Sequence, residues 1–323
     1  MTKNPLPVRA GISPSRLYLP QGDWPTLLAF LKERFPHLAE DIIEMRLARG
    51  DMVNEEGTPY HLHSPYPAQT WLWYYREVEQ EVTVPFELKI LYQDDYLVAV
   101  DKPHFLASIP GGRYLQETAL IRLRKMLDNY DISPLHRLDR DTAGVLLFCV
   151  NPQYRGIYQS LFQGRSIQKQ YECVAPYQKH LKLPLLRQSF IEKSASYFTM
   201  QEREGSIYQL SLDNSISQQP IIPEHADCNS ATWIELIQHK NGLGHYRLTP
   251  LSGKKHQLRV HMNGLGMAIC HDEFYPQLLP ARATDDFARP LQLLARSIAF
   301  IDPINQQQRY FESQQTLALV KDW

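Results

Sequence analysis

The chain has 323 residues, 43% of them hydrophobic, so it can bury a core and is not disordered as a whole. Lys and Arg number 34 against 35 Asp and Glu, a net charge of −1, which excludes a histone-like polycation; any polyanion must be met by a local patch. The four cysteines, Cys149, Cys173, Cys228 and Cys270, form no Cys-x-x-Cys, which argues against a thiolate zinc site, a redox pair or a disulfide scaffold.

At roughly 150 residues per domain the length suggests two domains. Residues 1–22, with Pro5, Pro7, Pro14 and Pro20, read as an irregular lead-in without the apolar core of a signal peptide. Asp23 is expected to cap a helix with Pro25 in its first turn. Its apolar positions are Trp24, Leu27, Leu28, Leu31 and Phe35, and Pro36 stops it. A second helix is expected over 39–49, closed by Gly50, with Arg46 and Arg49 on one face. A short strand at Met52–Val53, a turn at 55–57 and a strand over 70–75 complete a small helix–helix–hairpin module. The acidic stretch 77–81 puts the boundary near 76–86, dividing the chain into 1–80 and 81–323.

Beyond the boundary, strands are expected at 89–92, 96–100, 144–150 and 171–175, with helices near 115–129 and 153–163. The longest apolar run, 145–150, is far short of the roughly 20 residues that span a bilayer. No membrane association and a reduced cytoplasmic setting are expected. Residues 201–230 are acidic and contain Pro220 and Pro223, so part of them is expected to be a surface excursion. Residues 236–271 hold no Asp or Glu but carry Lys240, Arg247, Lys254, Lys255, Arg259 and histidines. That stripe is either a footprint for a polyanion or an ordinary solvated basic face.

The densest polar segment is 134–144, which runs into the apolar strand. Asp139 lies between Arg137 and Arg140. Neighbouring guanidinium groups favour an ionised carboxylate, which suits a nucleophile or base, although an ordinary loop ion pair has the same sequence.

Three further segments give this one a context. Lys169-Gln170-Tyr171 follows about thirty residues on, and a run from Leu248 to His261 contains Lys254-Lys255-His256-Gln257-Leu258-Arg259. Val100-Asp101-Lys102-Pro103 precedes them all. In this order and spacing the four segments, together covering about 85–311, resemble the RluA-type RNA pseudouridine synthases. The N-terminal module is similar to the alpha-L RNA-binding motif. The resemblance implies an α+β protein: a pseudouridine synthase fold with a mixed, largely antiparallel central sheet, plus the small N-terminal domain.

It implies Asp139 as the catalytic carboxylate, Arg259 as its ion-pair partner and Tyr171 as the active-site tyrosine. Arg137 would fill the space left by a swung-out uridine. His136, Thr142, Lys169, Lys254, Lys255 and His256 would contact substrate, and Arg46 and Arg49 would serve the RNA-binding module. No cofactor or metal is implied. The expected partner is structured RNA, ribosomal first and tRNA as runner-up, met by a monomer. Lys254-Lys255 stand where the family has Arg-Thr, Leu294 where it often has His, and His271 where it often has Gly before Asp272.

Two other classes compete. His136, Asp139, Asp141, His256, His261, His271 and Asp272 are ligand types for a metal-dependent phosphohydrolase or nuclease. Against it, the motif segments read as strands and turns, with no His-x-x-x-His and nearby acid on a clear helix. A non-catalytic RNA-binding protein is the other; the intact Asp139, Tyr171 and Arg259 count against it.

Overall fold

The computed structural model describes residues 4–9, 11–36, 38–76, 81–164, 166–196, 198–211, 227–280 and 286–323. Two compact units are present. One comprises the chain up to Glu81 together with Pro110–Gln116; the other comprises Val82–Ile109 and Glu117–Trp323. Sequence order alone assigns Pro110–Gln116 to the second part. In space these residues join the first, where the Glu81 carboxylate accepts from the backbone N–H of Leu115 at 2.7 Å and of Gln116 at 2.8 Å.

The first unit orders as β1 (Ser15–Leu19), α1 (Leu27–Arg34), α2 (Glu40–Ala48), β2 (Met52–Val53) and β3 (Thr70–Tyr74). The lead-in is therefore not wholly irregular: β1 pairs antiparallel with β3 at the centre of a three-stranded sheet. Strand β1 alternates inward and outward, but in only five residues beside prolines. The cap of α1 is Thr26, not Asp23; its hydroxyl accepts from the Ala29 N–H at 3.2 Å. Gly50 ends α2 with φ +69°, a conformation glycine adopts without strain. Leu27, Phe30, Leu31, Ile43 and Leu47 pack on Leu19, Met52 and Leu72, so both helices cover one face of the sheet.

The second unit holds β4 (Lys89–Gln93), β5 (Leu97–Lys102), α3 (Ala119–Met126), β6 (Ser133–Pro134), β7 (Ala143–Cys149) and α4 (Arg155–Gln163). It continues with β8 (Gln168–Pro176), β9 (Leu185–Ser189), β10 (Ile191–Lys193), β11 (Met200–Glu202) and β12 (Tyr208–Ser211). It closes with β13 (Ser230–Lys240), β14 (Leu243–Pro250), α5 (Gln257–Gly264), β15 (Leu293–Ile301) and β16 (Gln308–Glu312).

Eleven strands form one sheet in the order β12-β9-β13-β14-β8-β15-β7-β5-β4, with β16 on β15 and β6 on β7. Every pairing in it is antiparallel except β15 with β7. The architecture is thus the mixed, largely antiparallel α+β sheet expected. Strands β5 and β7 are buried along their whole length, which is why they read as continuous apolar runs. Apolar clusters fill both faces of the sheet.

Within the acid-rich 201–230, residues 201–202 lie in β11 and 208–211 are β12; the excursion expected around Pro220 and Pro223 falls on 212–226, outside the described residues. One expectation needs correcting. The third motif segment is not strand and turn throughout: β14 ends at Pro250, and Gln257–Gly264 form α5. Leu258 and Met262 on one face and Val260 on another are buried in separate apolar clusters, which makes that helix part of the core.

Candidate active site

Asp139 sits on the loop between β6 and β7, and that loop is fixed by its backbone. Ser108 Oγ donates to the Leu138 carbonyl at 2.7 Å and accepts from the Leu138 N–H at 3.0 Å. The Thr142 N–H donates to the Asp139 carbonyl at 3.2 Å, and His104 Nδ1 donates to the Asp141 carbonyl at 2.7 Å. Lys102, fully buried, donates to the carbonyls of Pro103, Leu106 and Arg140 at 3.0, 2.8 and 3.0 Å. Burial pulls its ammonium down to about 7, against the attraction of Asp141 and Asp139. A side chain whose neighbours are all tied in this way is pre-positioned.

Below the loop, β7 meets β15 in the parallel pairing. Gly144 has φ +112°, and a Cβ there would stand 2.2 Å from the Ala295 carbonyl oxygen. The two strands approach so closely only because this residue has no side chain. Ala295 pairs in turn with Tyr171 on β8, so the Asp139 loop and Tyr171 are brought together by adjacent strands.

The cationic partner of Asp139 is neither neighbour in sequence. Arg140 pairs with Asp141 at 2.8 Å, and Arg137 is exposed. The partner is Arg259, 120 residues away: its Nη1 lies 3.3 Å from Asp139 Oδ2. Helix α5 supplies Arg259, and its N-terminal residue His256, at φ +56°, turns Nε2 to within 3.7 Å of the same oxygen. Nδ1 of His256 bonds the Tyr275 hydroxyl at 3.0 Å, and burial pulls the imidazole down to about 4, leaving it neutral at pH 7.

Arg259 has a stronger partner that the sequence reading left out of the site. Asp272 receives Nε at 2.7 Å and Nη2 at 2.6 Å, a two-pronged pair with both side chains buried. The rings of Phe274 and Tyr275 lie 4.7 and 5.5 Å from the guanidinium carbon. Burial opposes the charge on Arg259, but the bonds to Asp272 and the charges of Asp272 and Asp139 outweigh it and raise its pKa. Asp272 also accepts from the N–H groups of Phe274 and Tyr275. The segment Asp139–Arg259–Asp272 is therefore a row of alternating charge, buried at one end and open at the other, where the Asp139 side chain is 30% exposed.

Tyr171 is half-buried on β8. Burial and then the charge of Asp139 push its phenol well above the ordinary value, so the hydroxyl stays protonated: it can donate a hydrogen bond or stack but not act as a base.

Other candidates fall in different places. His136 Nε2 accepts from the Leu147 N–H at 3.1 Å, stacks on Phe162 and is pulled by burial to about 3, so it braces the loop from within. Thr142 is buried. Lys169 is half-buried on β8 and its pKa is lowered by burial; Lys254 and Lys255 are exposed on the turn before α5. Of the basic stripe, Arg259 is interior, and Arg247 lies 3.8 Å from Glu235. Arg46 is buried, donates to the Tyr75 carbonyl and lies over Tyr74, whereas Arg49 is exposed. The ligand types of the metal-hydrolase reading are dispersed: His261 is buried on Thr232 at 2.8 Å and on Ser189 at 3.0 Å, and His271 bonds the Pro290 carbonyl. Among the described residues, no three His, Cys, Asp or Glu side chains are grouped to hold an ion.

Comparison with known proteins shows the family. The family model described as RNA pseudouridylate synthase matches residues 96–264, from β5 through the Asp139 loop to the end of α5. The tRNA pseudouridine synthase C of Pasteurella multocida is 31% identical over 230 residues, covering 68% of this chain and 88% of its own. The dual-specificity RNA pseudouridine synthase RluA of Vibrio cholerae is 28% identical over 219 residues, covering 67% and 78%. In fold, the human RNA pseudouridylate synthase domain containing 1 superposes with a TM-score of 0.53 at 21% identity, covering 73% of this chain and 86% of that one. With more than half of its length matched, the chain belongs to the RNA pseudouridylate synthase family, as an isomerase of the RluA type.

Proposed function

We propose that Asp139 is the catalytic carboxylate and that Arg259, held by Asp272, positions it against the ribose of a uridine swung out of its RNA. The reaction is an isomerisation. The bond from N1 to C1′ breaks, a bond from C5 to C1′ forms, C5 loses its proton and N1 gains one, so no redox partner is required. Asp139 either attacks C1′ or removes a ribose proton; both need one ionised oxygen near the sugar. Tyr171 supplies a ring to stack on the uracil and a protonated hydroxyl. Exposed Arg137, on the same loop, fills the space the base vacates, because a planar guanidinium stacks and hydrogen-bonds at once. Lys254 and Lys255 supply phosphate contacts.

The observation that carries this reading is the contact at 3.3 Å between Asp139 and Arg259, two residues 120 positions apart, at the open end of a buried charge row. We infer a structured RNA as substrate. Ribosomal RNA is the first expectation from sequence; the relatives, one a tRNA pseudouridine synthase and one of dual specificity, give tRNA equal standing. The deciding experiment is a pseudouridine map of total RNA from cells with and without this gene, paired with release of tritium from C5-labelled transcripts by the purified protein. One or more sites lost from rRNA or tRNA, and regained with the wild-type gene but not with Asp139→Asn, is the expected result. Unchanged maps would overturn the reading.

A further inference from the structure

The helices of the N-terminal unit cover one face of its sheet, and the opposite face has an unusual composition. Along β3 the side chains of Trp71, half-buried, and Trp73, buried, lie on the face away from the helices, and β1 sets the exposed Tyr18 opposite Trp71 and the exposed Arg16 opposite Trp73. Arg16 lies over the Trp71 ring at 4.3 Å and reaches Trp73 at 5.6 Å. Tyr18 meets Trp71 edge-on at 5.1 Å, and just beyond the strand end Arg9 lies over Tyr75 at 4.2 Å. Arg9, Arg16 and Tyr18 are exposed, with 45% of Tyr18 in solvent. None of the three strands carries an acid, and Glu55 is turned to the Thr70 hydroxyl, on the helix-covered face.

A surface serving only stability has no reason to leave a tyrosine ring and two guanidinium planes in water. Exposed aromatic rings interleaved with arginine are the chemistry that takes unpaired nucleobases: the rings and guanidinium planes stack, and the charge meets the phosphates. We infer that the outer face of the β1–β3 sheet is a stacking platform for a single-stranded segment of the RNA substrate. The inference rests on the reading of the chain as an RNA-modifying enzyme. It moves the RNA contacts of this unit from the Arg46–Arg49 helix face, where Arg46 is buried, to the sheet.

The test uses the full chain and two variants that alter exposed side chains, Arg16→Ala and Tyr18→Ala, with Tyr18→Phe as the variant that keeps the ring. Binding of fluorescein-labelled oligouridylate is read by anisotropy, beside a blunt RNA duplex. Each alanine variant is expected to raise Kd for the single strand about ten-fold, the size of one lost stack. The duplex should change less, and Tyr18→Phe should bind as wild type. In turnover of a modified transcript the alanine variants raise KM with kcat unchanged. Alanine variants with wild-type melting temperature and unchanged Kd and KM would overturn the platform. Its failure is distinguishable from failure of the enzymatic reading, which is a wild-type protein that forms no pseudouridine; anisotropy still judges the surface in that case.

Discussion

At the scale of single residues, the proposed roles separate the charge assigned to the reaction, Asp139, from the charges that hold it. Asp139→Asn keeps the shape of the loop, whose backbone is held by Ser108, His104 and Lys102 rather than by the Asp139 side chain, and removes the carboxylate charge. It is expected to lower kcat by about 10⁴-fold or more while leaving RNA affinity and melting temperature near wild type, measured by tritium release and filter binding. Turnover within ten-fold of wild type would mean that another group does the chemistry. Asp272→Asn acts differently. It leaves the 2% exposed Arg259 with only the partly exposed Asp139, at 3.3 Å, to balance its charge, so a loss of about 3 kcal/mol in urea unfolding is expected along with loss of activity. Equal stability would show that Asp139 and the aromatic rings suffice to hold the guanidinium. The residues of the reacting row were legible unequally. Asp139 and Arg259 stand in recognisable motif runs, whereas the strength of Asp272 is a matter of two-pronged geometry, which spacing does not encode.

At the scale of elements, the sheet brings the motifs together through one close approach. Gly144→Ala puts a Cβ against the Ala295 carbonyl and imposes φ +112° on a residue with a side chain. We expect β7 and β15 to separate, with loss of soluble protein or a melting temperature lowered by more than 10 °C, about 3–5 kcal/mol on a domain of this size. A wild-type melt would count against the parallel pairing. The strands of this region were readable as apolar runs because both faces are buried. Strand β1 was not, since five residues among prolines give a period too short to see. Helix α5 was missed because its first residue, His256, enters in a left-handed conformation, and no capping side chain marks the start.

At the scale of the whole molecule, four imidazoles are held neutral by burial. His136 and His261 are pulled from the ordinary 6.5 to about 3, and His104 and His256 to about 4. In each case the folded value lies below the unfolded one, so the unfolded chain takes up protons first. Their contribution is fully present above about pH 6.5 and drains as pH falls toward 4, by at most about 1.4 kcal/mol per group and pH unit. A urea midpoint clearly lower at pH 5 than at pH 7.5 is expected; equal midpoints would mean that these rings are already solvated. This behaviour was invisible in sequence, where a histidine in the basic stripe looks the same whether it faces water or Thr232. The division of labour around Arg259 has a last consequence. Its two-pronged grip is spent on Asp272, so Asp139 is touched from one side only, at Oδ2. A carboxylate clasped by both oxygens is a mere counter-ion; one tethered at a single oxygen is steered while its other oxygen stays open, as either role proposed for it requires.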